Sequence, residues 1–206
     1  MYTTPSVTPR RSATLADSFG PRSLARDGAL VVAFSLFMAL CAQISIPLPW
    51  TPVPITGQTL GLLLTGAILG PRRGALAMLL YLAEGAAGLP VFAGGTGGMA
   101  RLLGPTGGYL FSYPIVAALL GVLAVRGWDR RIPSALLMFL IGNVVVYLFG
   151  VSWLNIYKGT FGQVSLMWAG VYPFLIGDAI KIGLAALALP GAWALFGKRS
   201  EDKAKG

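Results

Sequence analysis

Residues 133–151 read PSALLMFLIGNVVVYLFGV, nineteen consecutive residues without a charge. A helix needs about 20 predominantly apolar residues to cross the roughly 30 Å hydrocarbon core of a bilayer, so this stretch predicts a transmembrane helix. The same character recurs in residues 28–46, 57–69, 74–89, 108–125 and 169–196, with the turn-like, charged sequence GPRR at 70–73 as a loop. The sequence thus predicts an all-α, polytopic membrane protein with six transmembrane helices.

The composition of the chain excludes a soluble fold and several kinds of chemistry. Of the 206 residues, 55% are apolar and 11% are charged, whereas soluble domains carry about 25% charged residues. There is no histidine, and Cys41 is the single cysteine, so His-dependent catalysis and zinc-type metal sites have no residues to be built from. The net charge of +9 comes from basic residues beside apolar segments, unlike the pattern of nucleic-acid-binding proteins. We expect a bilayer protein that is not an enzyme, with no metal, cofactor or nucleic-acid partner.

The basic residues also predict the orientation of the helices, because cytoplasmic loops hold an excess of Lys and Arg. With a cytoplasmic N-terminus, thirteen of the sixteen Lys and Arg residues fall on the cytoplasmic side, against Arg101 and Lys158 outside. The sequence therefore predicts a multi-pass protein of the cell (plasma) membrane with both termini in the cytoplasm. We expect a disordered tail at 1–27, a transmembrane domain at 28–197 and a charged tail at 198–206.

The last predicted span contains two ionisable residues, in the segment PFLIGDAIKI at 173–182. A charge at the centre of a transmembrane helix costs roughly 2.5 to 3.5 kcal/mol on insertion scales, so it persists only when paired, hydrated or used. Asp178 and Lys181 are three residues apart and share a helix face. They form either a structural ion pair or, as we favour, a ligand site. In a continuous helix from residue 169, Asp178 would lie roughly 12 to 15 Å from the outer end.

The segment IPLPWTPVPITGQT at 46–59 contains four prolines and connects the first two predicted helices. Alternate prolines favour an extended, polyproline-like backbone, so the segment is predicted to be a stiff flap. Trp50 would then cover an apolar ligand, while Thr56 and Gln58 would offer hydrogen bonds. For Trp50, an aromatic anchor at the membrane interface is an equal alternative.

Other polar residues on the predicted outer side are candidate ligand contacts. The glycine-rich stretch 88–109 contains Arg101, which would either attract an anionic substrate or lie among lipid headgroups. Its glycines permit close backbone approach to a ligand, although the stretch is not a phosphate-binding P-loop. Asn155, in the third outer loop, is a weaker candidate, as are Asn143 and Glu84 within the helices.

Ala25, Ala29 and Ala33 recur every four residues near the start of the first helix. Small residues at this spacing let another helix approach closely. That helix belongs either to the same bundle or to a separate protein. Because the chain carries no ATP-binding motif of the P-loop type, any ATP-driven transport requires a separate protein that binds ATP.

Four motifs follow one another along the chain, PVPITGQT at 52–59, GLPVF at 88–92, GPTGGY at 104–109 and PFLIGDAIK at 173–181. Together they resemble the BioY family, the biotin-specific substrate-binding (S) components of energy-coupling factor (ECF) transporters. The resemblance implies the six-helix S-component fold. It also implies that the chain captures biotin from the outer side for ATP-driven import, together with a transmembrane coupling protein and two ATPase subunits.

The resemblance also assigns roles to individual residues. Asp178 and Lys181 match the family's binding residues, and Ala29 and Ala33 match its contact with the coupling protein. Asp178 would accept a hydrogen bond from the ureido ring of biotin, and Lys181 would donate either to the ureido oxygen or to the carboxylate.

Aromatic side chains would complete such a site. Trp50, Phe92 and Tyr109 would enclose the rings of biotin, which is the transported ligand and not a cofactor. The alternative function is a proton-coupled secondary transporter or a membrane enzyme, in which Asp178 and Glu84 would relay protons. The missing nucleophile and base oppose an enzyme, and the lack of an evident internal repeat opposes a secondary transporter.

Overall fold

The structure, a computed structural model, describes residues 14–20 and 22–205, with Phe19, Thr160 and residues 196–205 described by their backbone alone. The described chain is mostly helical. Its α-helices are α1 (Leu24–Gln43), α2 (Gln58–Leu69), α3 (Pro71–Ala86), α4 (Met99–Leu102), α5 (Gly107–Val125), α6 (Ile132–Leu154), α7 (Leu166–Gly170) and α8 (Leu175–Lys205). The strands β1 (Ser45–Leu48) and β2 (Thr51–Thr56) connect α1 with α2. Short 3-10 helices cover Leu15–Phe19, Trp128–Arg130, Asn155–Thr160 and Tyr172–Phe174.

Four helical segments of the described chain are long and apolar enough to cross a membrane. They are Leu24–Gln43, Gly107–Val125, Ile132–Gly159 and Leu166–Leu195. These segments identify a membrane protein. The helices α2 and α3 have 12 and 16 residues and are shorter than the usual span of about 20. Helix length alone therefore gives four spans, and not the predicted six.

The helix α5 packs against α2, α3 and α6 and forms the centre of the bundle. Glycines allow the backbones to approach closely there. A Cβ atom on Gly66 would lie 2.8 Å from the carbonyl oxygen of Ala117, and one on Gly121 would lie 2.3 Å from the carbonyl carbon of Gly70. No larger residue fits at these two positions without movement of the backbone, as is typical of close helix pairs in membranes.

The junction between α2 and α3 is tighter than the loop predicted for residues 70–73. Only Gly70 separates the two helices. Its φ of +82° is a conformation that favours glycine, and Pro71 begins α3 at a position where its missing N–H leaves no bond unmade. Arg72 and Arg73 therefore belong to α3.

The segment predicted as a polyproline-like flap is an antiparallel β-hairpin instead. Ser45 pairs with Thr56 and Ile46 with Ile55, and the N–H of Gly57 donates to the carbonyl of Ile44 at 2.9 Å. Because hydrogen-bonded positions alternate along an antiparallel ladder, the prolines at 47 and 54 fall where no N–H is needed. Proline spacing that suggests a polyproline helix is thus equally compatible with a two-stranded ribbon.

The hairpin is joined to α7 by one buried hydrogen bond. The hydroxyl of Thr51 donates to the carbonyl oxygen of Ala169 at 2.6 Å, and the same hydroxyl accepts from the N–H of Val53 at 3.2 Å. The bond connects residues 118 positions apart in sequence. It therefore fixes the hairpin relative to the start of the last membrane segment.

We expect Thr51→Val to lower the free energy of unfolding by about 1 to 3 kcal/mol, because it leaves the Ala169 carbonyl buried without that donor. Thermal unfolding of the detergent-purified chain measures the effect. Thr65→Val is the matched control, since the Thr65 hydroxyl bonds only to the Gly61 carbonyl within its own helix. Equal loss in the two variants would show that the link between hairpin and α7 adds nothing to stability.

The N-terminal segment differs from the predicted disordered tail. Residues 15–19 form a 3-10 helix and α1 begins at Leu24, while residues 1–13 lie outside the described residues. Arg73 donates to Asp17 at 2.8 Å and to Asp27 at 3.0 Å, and Arg22 donates to Asp17 at 2.7 Å. Burial by itself would raise the pKa of Asp17, but hydrogen bonds from Arg22, Thr14 and Arg73 outweigh it and hold that pKa well below its usual range. This ion cluster fixes the N-terminal segment to the start of α3.

The last predicted span, 169–196, is interrupted near its beginning. The short helix α7 ends at Gly170, a 3-10 helix covers Tyr172–Phe174 and α8 begins at Leu175. Pro173 cannot donate a helical hydrogen bond, which favours the break. Asp178 consequently lies in the first turn of α8, and not two to three turns into a continuous helix as predicted. The backbone of α8 remains helical to Lys205, so the helix continues through most of the predicted charged tail at 198–206.

Candidate functional site

A cavity lies between the hairpin, the loop after α3, and α2, α4, α5, α6 and α8, with about 630 Å³ of empty space that includes its opening to solvent. It is lined by Val53, Pro54, Thr56, Gln58, Thr59, Phe92, Ala93, Arg101, Thr106, Tyr109, Leu110, Tyr113, Asn143, Val146, Tyr147, Phe174, Asp178 and Lys181. The predicted site residues Asp178, Lys181, Gln58, Thr56 and Arg101 are all among them.

The most polar part of the cavity is centred on Asp178, which is 4% exposed. Its Oδ1 accepts from the ammonium of Lys181 at 2.9 Å. Its Oδ2 accepts from the hydroxyl of Tyr147 at 2.5 Å and from the amide of Asn143 at 3.2 Å. The interrupted helix explains this placement, since the break before α8 brings the first turn of α8 against α6. A buried charge is thus paired and hydrogen-bonded, as its burial requires.

Arg101 lines the cavity from α4, which packs against α3 and α5, whereas Asp178 and Lys181 line it from α8. Among the described residues, no Asp or Glu pairs with Arg101. The cavity therefore has a neutralised pair at one wall and an unneutralised cation at another. Such a cation attracts an anionic group of a ligand.

Aromatic rings form much of the remaining wall. Phe92 is 1% exposed and packs edge-on against Tyr81, with ring centroids 5.4 Å apart. It sits directly over Gly85, where a Cβ would lie 1.9 Å from the ring. The hydroxyl of Tyr109 donates to the carbonyl of Gly170 at 2.8 Å, so that its ring stays at the cavity wall. These rings provide the apolar surface that ring-containing ligands require.

The hairpin end of the cavity presents Thr56 and Gln58. The hydroxyl of Thr56 accepts from the N–H of Gln58 at 3.3 Å, which orders the start of α2. The side-chain amide of Gln58 donates to the hydroxyl of Tyr81 at 2.8 Å. The carbonyl oxygen of that amide remains available as an acceptor toward a ligand.

Two predicted site residues lie away from the cavity. Trp50, at the tip of the hairpin, is 45% exposed and borders a separate shallow depression with Trp168. The hairpin turn between β1 and β2 places it away from the cavity, and its role as an anchor at the membrane interface stays a prediction. Asn155 is exposed in the 3-10 helix that follows α6. Both residues are away from the site because of their exposed positions outside the helical bundle, and not because of their residue types.

Glu84 also lies outside the cavity. It accepts from the hydroxyl of Ser35 on α1 at 3.1 Å, so the structure does not bring it to Asp178 as a proton relay would require. Among the side chains that the structure describes, no three from Cys, Asp or Glu are grouped as metal ligands.

The structure adds residues to the site that sequence reasoning missed or ranked low. Tyr147 and Tyr113 were not predicted, and Asn143 was a minor candidate. One signal was present, because Asn143 and Tyr147 are four residues apart and therefore share a face of α6. Nothing local in the sequence indicates that this face meets Asp178.

The stripe of Ala25, Ala29 and Ala33 is exposed on α1. Only 17% of the residues in the apolar stretch of α1 are buried in the bundle. Of the two alternatives for the stripe, packing within this bundle is thus not what the structure shows. The stripe faces outward, where another molecule can reach it.

Comparison with known proteins gives a consistent result at the levels of family, sequence and fold. The BioY family model matches residues 10–198 of the chain. The probable biotin transporter BioY of Pyrococcus horikoshii is 39% identical over 163 residues, which cover 79% of this chain and 93% of that protein. The biotin transporter BioY of Rhizobium etli is 37% identical over 170 residues, covering 79% and 90%.

A solved structure has the same fold. The 2.1 Å crystal structure of the S-component for biotin from an ECF-type ABC transporter superposes with a TM-score of 0.69 and 26% sequence identity, covering 82% of this chain and 93% of that chain. The proteins found are transport components and not enzymes. The matches extend over the hairpin, the cavity and the last helix, and by them the chain belongs to the BioY family.

Proposed function

We propose that this chain binds biotin in the cavity around Asp178 and acts as the S-component of an ECF-type importer. The observation that carries the proposal is the arrangement of charge in one cavity. A buried, hydrogen-bonded Asp178–Lys181 pair lies on the α6 and α8 side, and Arg101 lies on the α4 side. Biotin has matching groups at its two ends, a ureido ring and a carboxylate.

The contact between ligand and cavity follows from donor and acceptor capacity. A ureido ring has two N–H donors and one carbonyl acceptor, so it complements an acceptor beside a donor, as Asp178 and Lys181 are at 2.9 Å. Lys181 is already neutralised by Asp178, whereas Arg101 has no acidic partner among the described residues. We therefore assign the ureido oxygen to Lys181 and the carboxylate to Arg101. Phe92 and Tyr109 enclose the fused rings between them.

We extend the proposal to the arrangement in the membrane. The six helices of 12 or more residues each traverse the bilayer, with α2 and α3 tolerated as short spans because they pack against α5. Both termini are cytoplasmic, as the distribution of Lys and Arg favours. The cavity, with Arg101 at its wall, then opens to the outer side, where biotin is captured.

The proposal also includes partner proteins. The exposed stripe of Ala29 and Ala33 on α1 suits close approach by a helix of a transmembrane coupling protein. Since the chain has no P-loop, two ATPase subunits would supply the energy for import.

Biotin binding by the detergent-purified chain, measured by isothermal titration calorimetry, is the direct test. We expect saturable binding of one biotin per chain. Failure to bind biotin in a folded preparation would refute the proposal. Uptake in vesicles that follows a proton gradient without ATPase subunits would instead favour a secondary transporter.

We expect Arg101→Gln to weaken biotin binding by about 10- to 100-fold, because a hydrogen-bonded charge contact is lost. Binding of biotin methyl ester, which has no carboxylate, should change little. Lys158→Gln is the matched control, since Lys158 is exposed and does not line the cavity. If Arg101→Gln weakened the acid and the ester equally, Arg101 would not be the carboxylate partner.

A further inference from the structure

Asn143, on α6, lines the cavity and has a buried side-chain oxygen without a hydrogen-bond partner in the described structure. The residue is 5% exposed and lines the cavity. Its Nδ2 donates to Oδ2 of Asp178 at 3.2 Å, whereas its Oδ1 is buried and has no hydrogen-bond partner in the described structure. Because the carboxylate paired with Lys181 only accepts, it fixes which end of the amide faces Asp178. The Oδ1 atom of Asn143 is therefore at the end of the amide that does not bond to Asp178. A buried acceptor of this kind normally has a hydrogen-bond partner.

The hydrogen bonds of Asp178 show why a second acceptor is needed. An ionised carboxylate offers about four lone-pair sites. Three donors already occupy Asp178, namely Lys181 on Oδ1 and both Tyr147 and Asn143 on Oδ2. Asp178 can thus accept one further N–H. A cyclic urea presents two N–H groups, one on each side of its carbonyl, so that the second must be accepted elsewhere.

We propose that Asn143 Oδ1 accepts the second ureido N–H and thereby makes the site specific for a cyclic urea with both nitrogens unsubstituted. This inference rests on the proposed binding of biotin in the cavity. Asn143 is suited to the role because it lines the same cavity as Asp178 and its amide contacts that carboxylate, so both acceptors belong to one polar cluster. Gln58 offers another acceptor at the cavity wall, but it lies on α2 and its amide is held by a hydrogen bond to Tyr81 of α3.

The test uses biotin and two lactam analogues, in which one or the other ureido N–H is replaced by CH2. If both N–H groups are read, the unaltered chain binds each analogue at least about tenfold more weakly than biotin, because one buried acceptor is left without its donor. Binding is measured by calorimetry on the purified chain. This arm needs no variant and so does not depend on how a substitution folds.

The second arm repeats the three titrations with Asn143→Leu, which has a similar size and no acceptor. One lactam, the one lacking the N–H that faces Asn143, should lose its disadvantage relative to biotin, while the other lactam keeps it. Val146→Ala is the matched control on the same helix, because Val146 lines the cavity without polar atoms. It should weaken the three ligands alike. Asn143→Ala, which also has no side-chain acceptor, serves as a second variant if the leucine variant does not fold.

Each outcome decides the inference. Equal affinity of the unaltered chain for biotin and either lactam would overturn it, since one N–H would then be unread. Unchanged affinity ratios in Asn143→Leu would overturn it too and leave Asn143 as a support for Asp178. A chain that binds no biotin would overturn the proposed function itself, which distinguishes that failure from failure of the Asn143 assignment.

Discussion

Replacing Asp178 by asparagine is expected to weaken biotin binding by at least about a hundredfold, because the substitution leaves a buried charge unpaired. The side chain of Lys181 is 16% exposed and has Asp178 as its ion-pair partner at 2.9 Å. The new amide would also place an NH2 group among the donors of Lys181, Tyr147 and Asn143, which surround the carboxylate. Both the ligand contact and the order of the cavity wall would suffer. Calorimetry on Asp178→Asn measures the effect.

The companion variant Lys181→Met should be milder. Without Lys181, the carboxylate still accepts from Tyr147 at 2.5 Å and from Asn143 at 3.2 Å, so it keeps two of its three donors. The loss in the double variant should accordingly be smaller than the sum of the two single losses, because the unpaired charge that penalises each single variant is absent. Additive losses would show that the two residues do not act as a pair.

Glu84→Gln provides the control for removing a carboxylate from the bundle. Glu84 is partly buried and bonds to Ser35, but it does not line the cavity. Its replacement should leave biotin affinity within about twofold, the scale of a substitution away from the site. Comparable losses in Asp178→Asn and Glu84→Gln would mean that the effect comes from bundle stability and not from the ligand site.

Hydropathy and charge predict the helices well because the bilayer imposes a length and a composition on any segment that crosses it. Each predicted apolar segment overlaps one of the longer helices of the bundle, from α1 to α8. The same reasoning identified Asp178 and Lys181, since a charge inside an apolar span is costly and therefore informative. Both lie at the cavity.

Features that depend on contacts distant in sequence could not be predicted in this way. The hairpin is recognised by the pairing of residues 45–56 and by the bond from Thr51 to Ala169, 118 residues away. The order of residues 14–20 depends on Arg73, which lies more than fifty residues further along the chain. Local composition indicated a flap from the prolines of residues 46–59 and a disordered tail from the serine, proline and arginine residues at the N-terminus.

The candidate site also combines residues that the local sequence could identify with residues that it could not. Arg101 and Phe92 could be nominated from their loops, whereas Tyr147 became a site residue only because α6 packs against α8. The hydroxyl of Tyr147 lies 2.5 Å from a carboxylate 31 residues later in the chain. A tyrosine in an apolar span is an ordinary packing residue until that neighbour is known.

Ala33→Leu should abolish assembly with the coupling protein while leaving biotin binding intact. Ala29 and Ala33 are exposed on α1, so a leucine at position 33 can extend away from the bundle and should cost little stability. At a small-residue seam between helices, however, the added side chain prevents close approach of the partner helix. The variant should purify and bind biotin like the unaltered chain, fail to co-purify with the coupling protein, and lose ATP-dependent uptake.

Leucine substitutions at two further alanines of the described helices distinguish a loss of docking from a loss of packing. Ala188→Leu places the same side chain at an exposed position of α8 and should leave both assembly and binding unchanged. Ala42→Leu places it at a fully buried position of α1, where overpacking costs roughly 1 to 3 kcal/mol and should lower thermal stability and biotin affinity together. Loss of assembly in Ala33→Leu alone would locate the docking surface on the α1 stripe. A stable Ala33→Leu chain that still forms the complete complex would exclude the stripe as that surface, because no helix could then be approaching closely at position 33.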